Sequence, residues 1–488
     1  MSNLKKILLV QSLLLLSIYT MAQLTLPKII GNDMVLQCRQ QVPLWGNAAP
    51  NQLVVVTFKQ QTSTIAADSK GNWKLMLDAM EPSAIPEKLV IKSGNEIITL
   101  NNILVGEVWL CSGQSNMEYT MRKNSKVTLP PCVTNWPVNE LETAHNRSIR
   151  IFLTDRKRMK PDSTHSGWSV AEDSALRSFS AVGYFFAKKM YGELHVPIGI
   201  IASSIPGSRI EPWMPKEAFT ALPFFRNQTD STHKIDGEPG KFYSTIIEPL
   251  APFAIKGFLW YQGESNCFLN DRLQYPYKMQ ALINQWRKIW GDNNLPFYYV
   301  QIAPFAYSKA GGNLKYTKES LPEFWEAQAL ALKIPNTAMI ATTDLNENLD
   351  NLHPHFKWEI GKRLAICALA NTYHIKGLVP MGPVFDKMNI NGNKAIIDFN
   401  YTGKGLKDKD GETLKDFIIA GKDGKFVAAK AVITNNQVIV SSEEIAHPIA
   451  VRFEWNEEVH PDLYNSEGLP AMPFRTDNPL QDKFKISN

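Results

Sequence analysis

Ser115 stands between a glutamine and an asparagine in VGEVWLCSGQSNMEYTM (105–121), where an apolar run gives way to polar residues. A serine hydroxyl exposed at such a point can attack a carbonyl if a base takes its proton and N–H donors receive the oxyanion. His353, in DLNENLDNLHP, can supply the base, and Asp350, three residues earlier, can fix its tautomer in a compact turn. The backbone N–H groups of Ser115 and of Gly207 (in SSIPGSRIEPWM), with the side-chain amide of Asn266 (in WYQGESN), can supply the donors. Each such donor is worth about 3 kcal/mol of barrier. Together these types describe acyl transfer through an activated serine. Singly, each has a plainer reading: a loop serine, a polar turn at GESN, a histidine capping the helix that follows. Met117 also sets GQSNM apart from the Gly-x-Ser-x-Gly elbow.

Such residues meet only if a fold carries them to one place. From about residue 103 the chain shows five short apolar runs, ILVGEVWL, VPIGIIAS, IKGFLWY, PFYYVQIA and NTAMIATT. Each has the length of a parallel strand covered on both faces. Between or after them lie AVGYFFAKKMYGEL, LQYPYKMQALINQWRKIW, PEFWEAQALALKI and PHFKWEIGKRLAICALANTYH, with helical spacing of apolar residues. The alternation predicts right-handed crossovers and a doubly wound α/β core over 103–375, whose ligands bind beyond the carboxyl ends of the strands. Ser115 follows the first run, Gly207 the second, Gly263–Asn266 the third, and the histidine segment the fifth. Residues 23–102 read as a small β-sandwich, with alternating Trp73, Leu75 and Leu77 and a hairpin at Ser93-Gly94-Asn95. After a proline-containing linker, 384–488 is β-rich again, with turns at Asp423-Gly424 and Asn435-Asn436.

The 488 residues include 44% hydrophobic and 20% charged, the balance of a packed globular protein. Lys5 and Lys6 precede an apolar stretch that ends in small residues near Ala22, the pattern of a secretory leader over 1–22. Its removal lowers the formal charge from +5 to +3, too small an excess to imply nucleic acid. No later segment is apolar for long enough to span a membrane, so a secreted or periplasmic protein is expected. Five cysteines without a CxxC pair imply neither a disulfide framework nor a zinc site; one bridge is possible. The His353–His355 pair lacks a third ligand, and no metal is expected. Gln114, Asn116, Gln262 and Glu264 flank the proposed site and either brace its loops or touch substrate. Arg209 offers a fork for a substrate carboxylate, or an ion pair with Glu211. Trp213 and Trp260 either pack or form a sugar-stacking wall.

GEVWLCSGQSNMEYTM, GSRIEPWM, GFLWYQGESN and LHPHFKWEIGKRLA resemble the blocks of the sialate O-acetylesterase family, serine esterases of the SGNH (GDSL-like) class. DMVLQ…VPLWGNAAP and DLYNSEGLPAMPFRTD extend the resemblance over nearly the whole chain after the leader. It implies a flavodoxin-like SGNH core with Ser115 as nucleophile, Gly207 and Asn266 as oxyanion donors and His353 as general base. The implied substrate is an acetylated sugar, sialic acid first, with no cofactor. Acetylxylan or another polysaccharide is the alternative substrate, and a non-catalytic glycan-binding protein the alternative class. Two departures stand out. Pro206-Gly207 replaces a Gly-Gly, and Asn351 stands where an aspartate often precedes the histidine by two. Asp350 is therefore the candidate orienter, with Asp344 behind it and a backbone carbonyl alone as the remaining alternative.

Overall fold

The computed structural model describes residues 23–127, 137, 139–154, 167–226, 235, 237–311, 315–346, 348–409, 411 and 413–486. The expected leader, 1–22, and Cys132 lie outside them. Among the described residues a mixed α/β architecture surrounds one large sheet, and a β-rich region follows it in the chain.

The sheet is organised by one long strand, Glu96–Gly113. Its first half pairs antiparallel with Ser83–Ser93. Its second half pairs parallel with Ile198–Ser204 on one side and Gly257–Tyr261 on the other. Beyond Gly257–Tyr261 come Phe297–Val300 and Thr337–Ile340, also parallel. The five apolar runs of the sequence thus lie side by side in the spatial order second, first, third, fourth, fifth. Two short strands were not legible as such. Ile149–Leu153 adds parallel beyond Ile198–Ser204, and Trp168–Val170 closes that edge antiparallel. The boundary expected at residue 102 falls inside the long strand, and a single apolar core runs from Leu24 through the central sheet.

Side-chain alternation sends the two faces of this sheet to different helices. Phe258 and Trp260 meet Trp286 of the helix Gln274–Trp290. Trp109 meets Phe186 of the helix Ala181–Leu194 on the opposite face. The latter helix begins at Ser180, whose hydroxyl accepts from the Gly183 N–H at 3.1 Å, and the former ends at Gly291 with φ +73°. The last core helix, Lys357–Asn371, crosses Ala181–Leu194 at Gly361. The C-terminal region builds its own core around Ile397, Ile419, Val440, Val451 and Phe453.

At the Gly361 crossing an added Cβ would lie 2.7 Å from the Val182 carbonyl oxygen and 2.8 Å from Phe185 Cβ. Neither helix backbone can yield there without opening the core that both cover. Gly361→Val is expected to lower the unfolding free energy by about 1–3 kcal/mol, through overpacking. Urea titration followed by tryptophan fluorescence measures it.

Candidate active site

At the carboxyl end of the long strand the backbone must turn sharply against its neighbour. Gly113 has φ +138°, and a Cβ there would sit 2.1 Å from the Tyr261 carbonyl oxygen, so only glycine permits the approach. The chain then enters the short helix Ser115–Glu118 from Gln114, whose N–H is held by the Tyr261 carbonyl at 3.0 Å. In this stretch of buried residues Ser115 is the one that reaches partial exposure. Its hydroxyl oxygen lies 2.8 Å from His353 Nε2, although 238 positions separate the two in the chain.

His353 is half-buried in the segment between Thr337–Ile340 and Lys357–Asn371, and its turn is fixed by its own N–H donating to Asn351 Oδ1 at 3.0 Å. Burial, reinforced by the cationic Lys357 and Lys123, pushes the imidazole pKa down from 6.5 to about 4. The ring is therefore neutral at ordinary pH, the form that accepts a proton. Gly207 is exposed, with φ +70° and open space where a side chain would be. Its loop leaves Ile198–Ser204 beside the serine turn, where the Ile205 N–H donates to the Gly113 carbonyl at 3.0 Å.

Two expected assignments do not survive the geometry. Asp350 turns its carboxylate, 75% exposed, to solvent, 3.7 Å from Lys309 Nζ. Among the described residues no hydrogen bond joins it to His353. Asp344 is taken by Arg363, which donates to it twice, at 2.8 and 2.7 Å. Asn266 is fully buried, and its amide donors face the carboxylates of Asp271 (2.9 Å) and Glu211 (3.3 and 3.4 Å). Both amide hydrogens are thus directed at carboxylates in this structure. Asn266 acts instead through Oδ1, which accepts the Ile210 N–H at 3.0 Å and so anchors the loop that carries Gly207.

The flanking polar residues brace the loops. Gln114, Asn116, Gln262 and Glu264 are each at most 1% exposed, which leaves them little surface for substrate. Gln114 Oε1 accepts from Gln262 Nε2 and from the N–H groups of Gly263 and Ser265. Gln262 donates onward to Ser208 O and Asn266 Oδ1, and Tyr275 donates to Gln262 Oε1. Asn116 donates from Nδ2 to Glu264 and, at 3.1 Å, to the carbonyl of Leu352, the residue before His353. Arg209 is part-buried beside Gly237, whereas Glu211 is 2.7 Å from Lys278. Trp213 and Trp260 are core residues, in edge-to-face contact with centroids 5.8 Å apart, and form no sugar-stacking wall. Cys38, Cys111, Cys267 and Cys367 are buried and form no disulfide with one another, and no cluster of three or more metal-ligating side chains occurs among the described residues.

Two lysines escaped the sequence reading. Lys278, 3% exposed, lies 2.7 Å from Glu211 and 2.6 Å from Asp271. Burial alone would lower its pKa, but the two carboxylates outweigh it and hold the ammonium above the usual lysine value. Lys357, fully buried, donates to Asn116 Oδ1 at 2.6 Å. The signal for Lys357 was positional. It lies three residues before Ile360 and seven before Leu364, on the stripe that its helix buries.

A serine and a histidine in contact at the carboxyl ends of parallel strands are the layout of an ester hydrolase. The family model for "Carbohydrate esterase, sialic acid-specific acetylesterase" matches residues 105–370, and the chain belongs to that family. Sialate O-acetylesterase of Homo sapiens is 27% identical over 91% of each chain. The Mus musculus protein of that name is 25% identical, over 91% of this chain and 93% of its own. The crystal structure of a carbohydrate acetylesterase from Xanthomonas citri superposes with a TM-score of 0.81 at 33% identity, covering 93% of this chain and all of the other.

Removing the Lys278 ammonium leaves two carboxylates buried without a cation. Lys278→Met is expected to cost about 3–5 kcal/mol of stability. Thermal and urea unfolding of the purified variant against the parent give the value.

Proposed function

We propose that this protein removes O-acetyl groups from sugars, sialic acids first, through Ser115 and an acetyl-enzyme intermediate. The reading rests on one observation, the 2.8 Å contact between Ser115 Oγ and His353 Nε2 within the segment that carries the family match. The α/β core acts as the doubly wound, SGNH-type scaffold that gathers four loops at one crevice. In its first half-reaction His353 takes the Ser115 proton while Oγ attacks the acetyl carbonyl. The backbone N–H groups of Ser115 and Gly207 receive the oxyanion. As the tetrahedral species collapses, His353 returns the proton to the departing sugar oxygen. Water then attacks the acetyl-serine, with the same imidazole as base, and acetate leaves. The pair works as a dyad: Asn351 and the Leu352 carbonyl contact hold the histidine turn in place of an aspartate. The leader-like pattern of residues 1–22 supports a site of action outside the cytoplasm.

The wider description of the Xanthomonas citri relative as a carbohydrate acetylesterase keeps acetylated polysaccharide as the second substrate class. Acetate release from 9-O-acetylated sialic acid and from acetylxylan separates the two.

Ser115→Ala and His353→Ala are each expected to lower deacetylation at least about 10³-fold with the fold intact. Asp350→Ala should stay within about threefold of the parent, because an exposed carboxylate contributes little. Retained turnover in Ser115→Ala would remove that serine from the mechanism. Only the neutral imidazole accepts the proton, so activity is present above the histidine pKa and is lost as pH falls through it. The acid limb of kcat/KM should therefore centre near pH 4 rather than 6.5, measured on an aryl acetate in buffers of constant ionic strength.

A further inference from the structure

Behind the serine and histidine lies a group of polar side chains that the deacetylation steps do not use. Lys357 opens the helix Lys357–Asn371 with no exposed surface, and its ammonium lies over the rings of Tyr119 and Tyr261, 5.0 and 5.3 Å from their centroids. Glu264, at the start of the helix Glu264–Cys267, is buried as well, and its Oε2 has no hydrogen-bond partner among the described residues. The two charges are joined through Asn116 rather than in a direct ion pair. Asn116 Oδ1 accepts from Lys357 at 2.6 Å, while Nδ2 donates to Glu264 and to the Leu352 carbonyl. Asn116 follows Ser115 and Leu352 precedes His353. One amide therefore clamps the serine turn to the histidine turn, and the buried ammonium satisfies its oxygen.

We propose that Lys357 is a positioning residue for the Ser115–His353 pair, acting through Asn116, whose side chain it locks across the two turns. This inference rests on the serine–histidine reading above. Its physical basis is the penalty on an unpaired buried polar atom: without the ammonium, the buried Asn116 Oδ1 loses its donor and the clamp loosens. The same cation acts on the imidazole. The charges that bear on His353 are Lys357 and the more exposed Lys123, after burial itself. Those around Lys357 are Glu264 and Lys123, with the rings of Tyr119 and Tyr261 against it and His355 Nδ1 3.4 Å from the Tyr119 hydroxyl. Burial lowers the Lys357 pKa to about 7, so below neutrality, where His353 titrates, the lysine carries its charge. Removing it should let the imidazole protonate at higher pH, an effect that a lysine with a merely structural role would not have.

The experiment compares Lys357→Met, Asn116→Leu and the double variant in the full chain, by the pH dependence of aryl acetate hydrolysis. Lys357→Met is expected to lower kcat at least tenfold with KM within threefold. Its acid limb should rise by half a pH unit or more. The double variant should fall no more than about twofold below the worse single one, since both act on one path. A kcat within twofold of the parent, additive losses or an unmoved acid limb would each overturn the proposal. Should Lys357→Met not fold with Glu264 left uncompensated, Lys357→Met/Glu264→Gln removes both charges together and the same upward limb shift is required of it. Ser115→Ala and His353→Ala run alongside. If they retain turnover the dyad reading fails; if they lose it while Lys357→Met behaves as the parent, this inference alone fails.

Discussion

Buried amides hold this site together, and their hydrogen-bonding demands govern most of what surrounds it. Gln114, Asn116, Gln262 and Asn266 lie at the ends of two neighbouring strands with almost no access to water. A buried amide left unpaired costs about 1–3 kcal/mol, so each must find partners inside the protein. They find them in one another, in the backbone of the loops that leave the sheet, and in the buried charged groups of Glu264, Lys357, Glu211 and Asp271. The result is a connected web in which moving any one strand end breaks bonds at the others. The partly exposed Ser115 rides on this web, and so does the contact with an imidazole 238 residues away.

The sheet and its helices were legible because their signals are local and repeated. Each of the five apolar runs became a strand of the central sheet, and AVGYFFAKKMYGEL is the helix Ala181–Leu194 without a residue's error. The spatial order of the strands was not legible, because the crossover rule fixes the handedness of a connection and not which strands become neighbours. Ile149–Leu153 and Trp168–Val170 escaped because they sit at an edge and are brief, where three or five residues give no period to detect. The polar site was half legible. Ser115 and His353 could be paired from residue type and strand-end position. The partners of Asp350 and Asn266 could not, since sequence spacing does not reveal which side of a turn faces solvent or which carboxylates a fold will bury nearby.

Asp350 shows how a short-range rule fails. Three residues upstream of a histidine is a spacing at which a carboxylate can reach the ring, but the turn Asn348–Asn351 rotates it outward. Asn348 Oδ1 caps the Asp350 N–H at 2.9 Å, and Asn351 Oδ1 caps that of His353 at 3.0 Å. Three asparagines, at 346, 348 and 351, fold this segment by side-chain-to-backbone bonds. The histidine is aimed by backbone geometry, and its low basicity follows from burial and two lysines, with no compensating carboxylate among the described residues.

That aim depends in turn on a part of the chain far from the serine. The segment bearing His353 leans on the loop after Phe297–Val300: the Ala306 N–H donates to the Leu349 carbonyl at 2.9 Å, and Asn346 Nδ2 to that of Pro304. This loop is pinned from the C-terminal region by Glu457, fully buried, which accepts from the Ser308 N–H at 2.9 Å and from its hydroxyl. Nearby, Arg475 meets Glu326 at 2.9 Å and Arg452 meets Glu319 at 3.0 Å, fixing the same region to the helix Ser320–Leu330 and the residue before it. Arg363, on the helix that Lys357 opens, ties Asp344 at the other end of the histidine segment. A half-buried imidazole with no carboxylate behind it among the described residues can keep a 2.8 Å contact only if its backbone is held from several sides. The C-terminal β-rich region supplies one of those sides, so the site is a property of the whole folded chain rather than of the segment that carries its motifs.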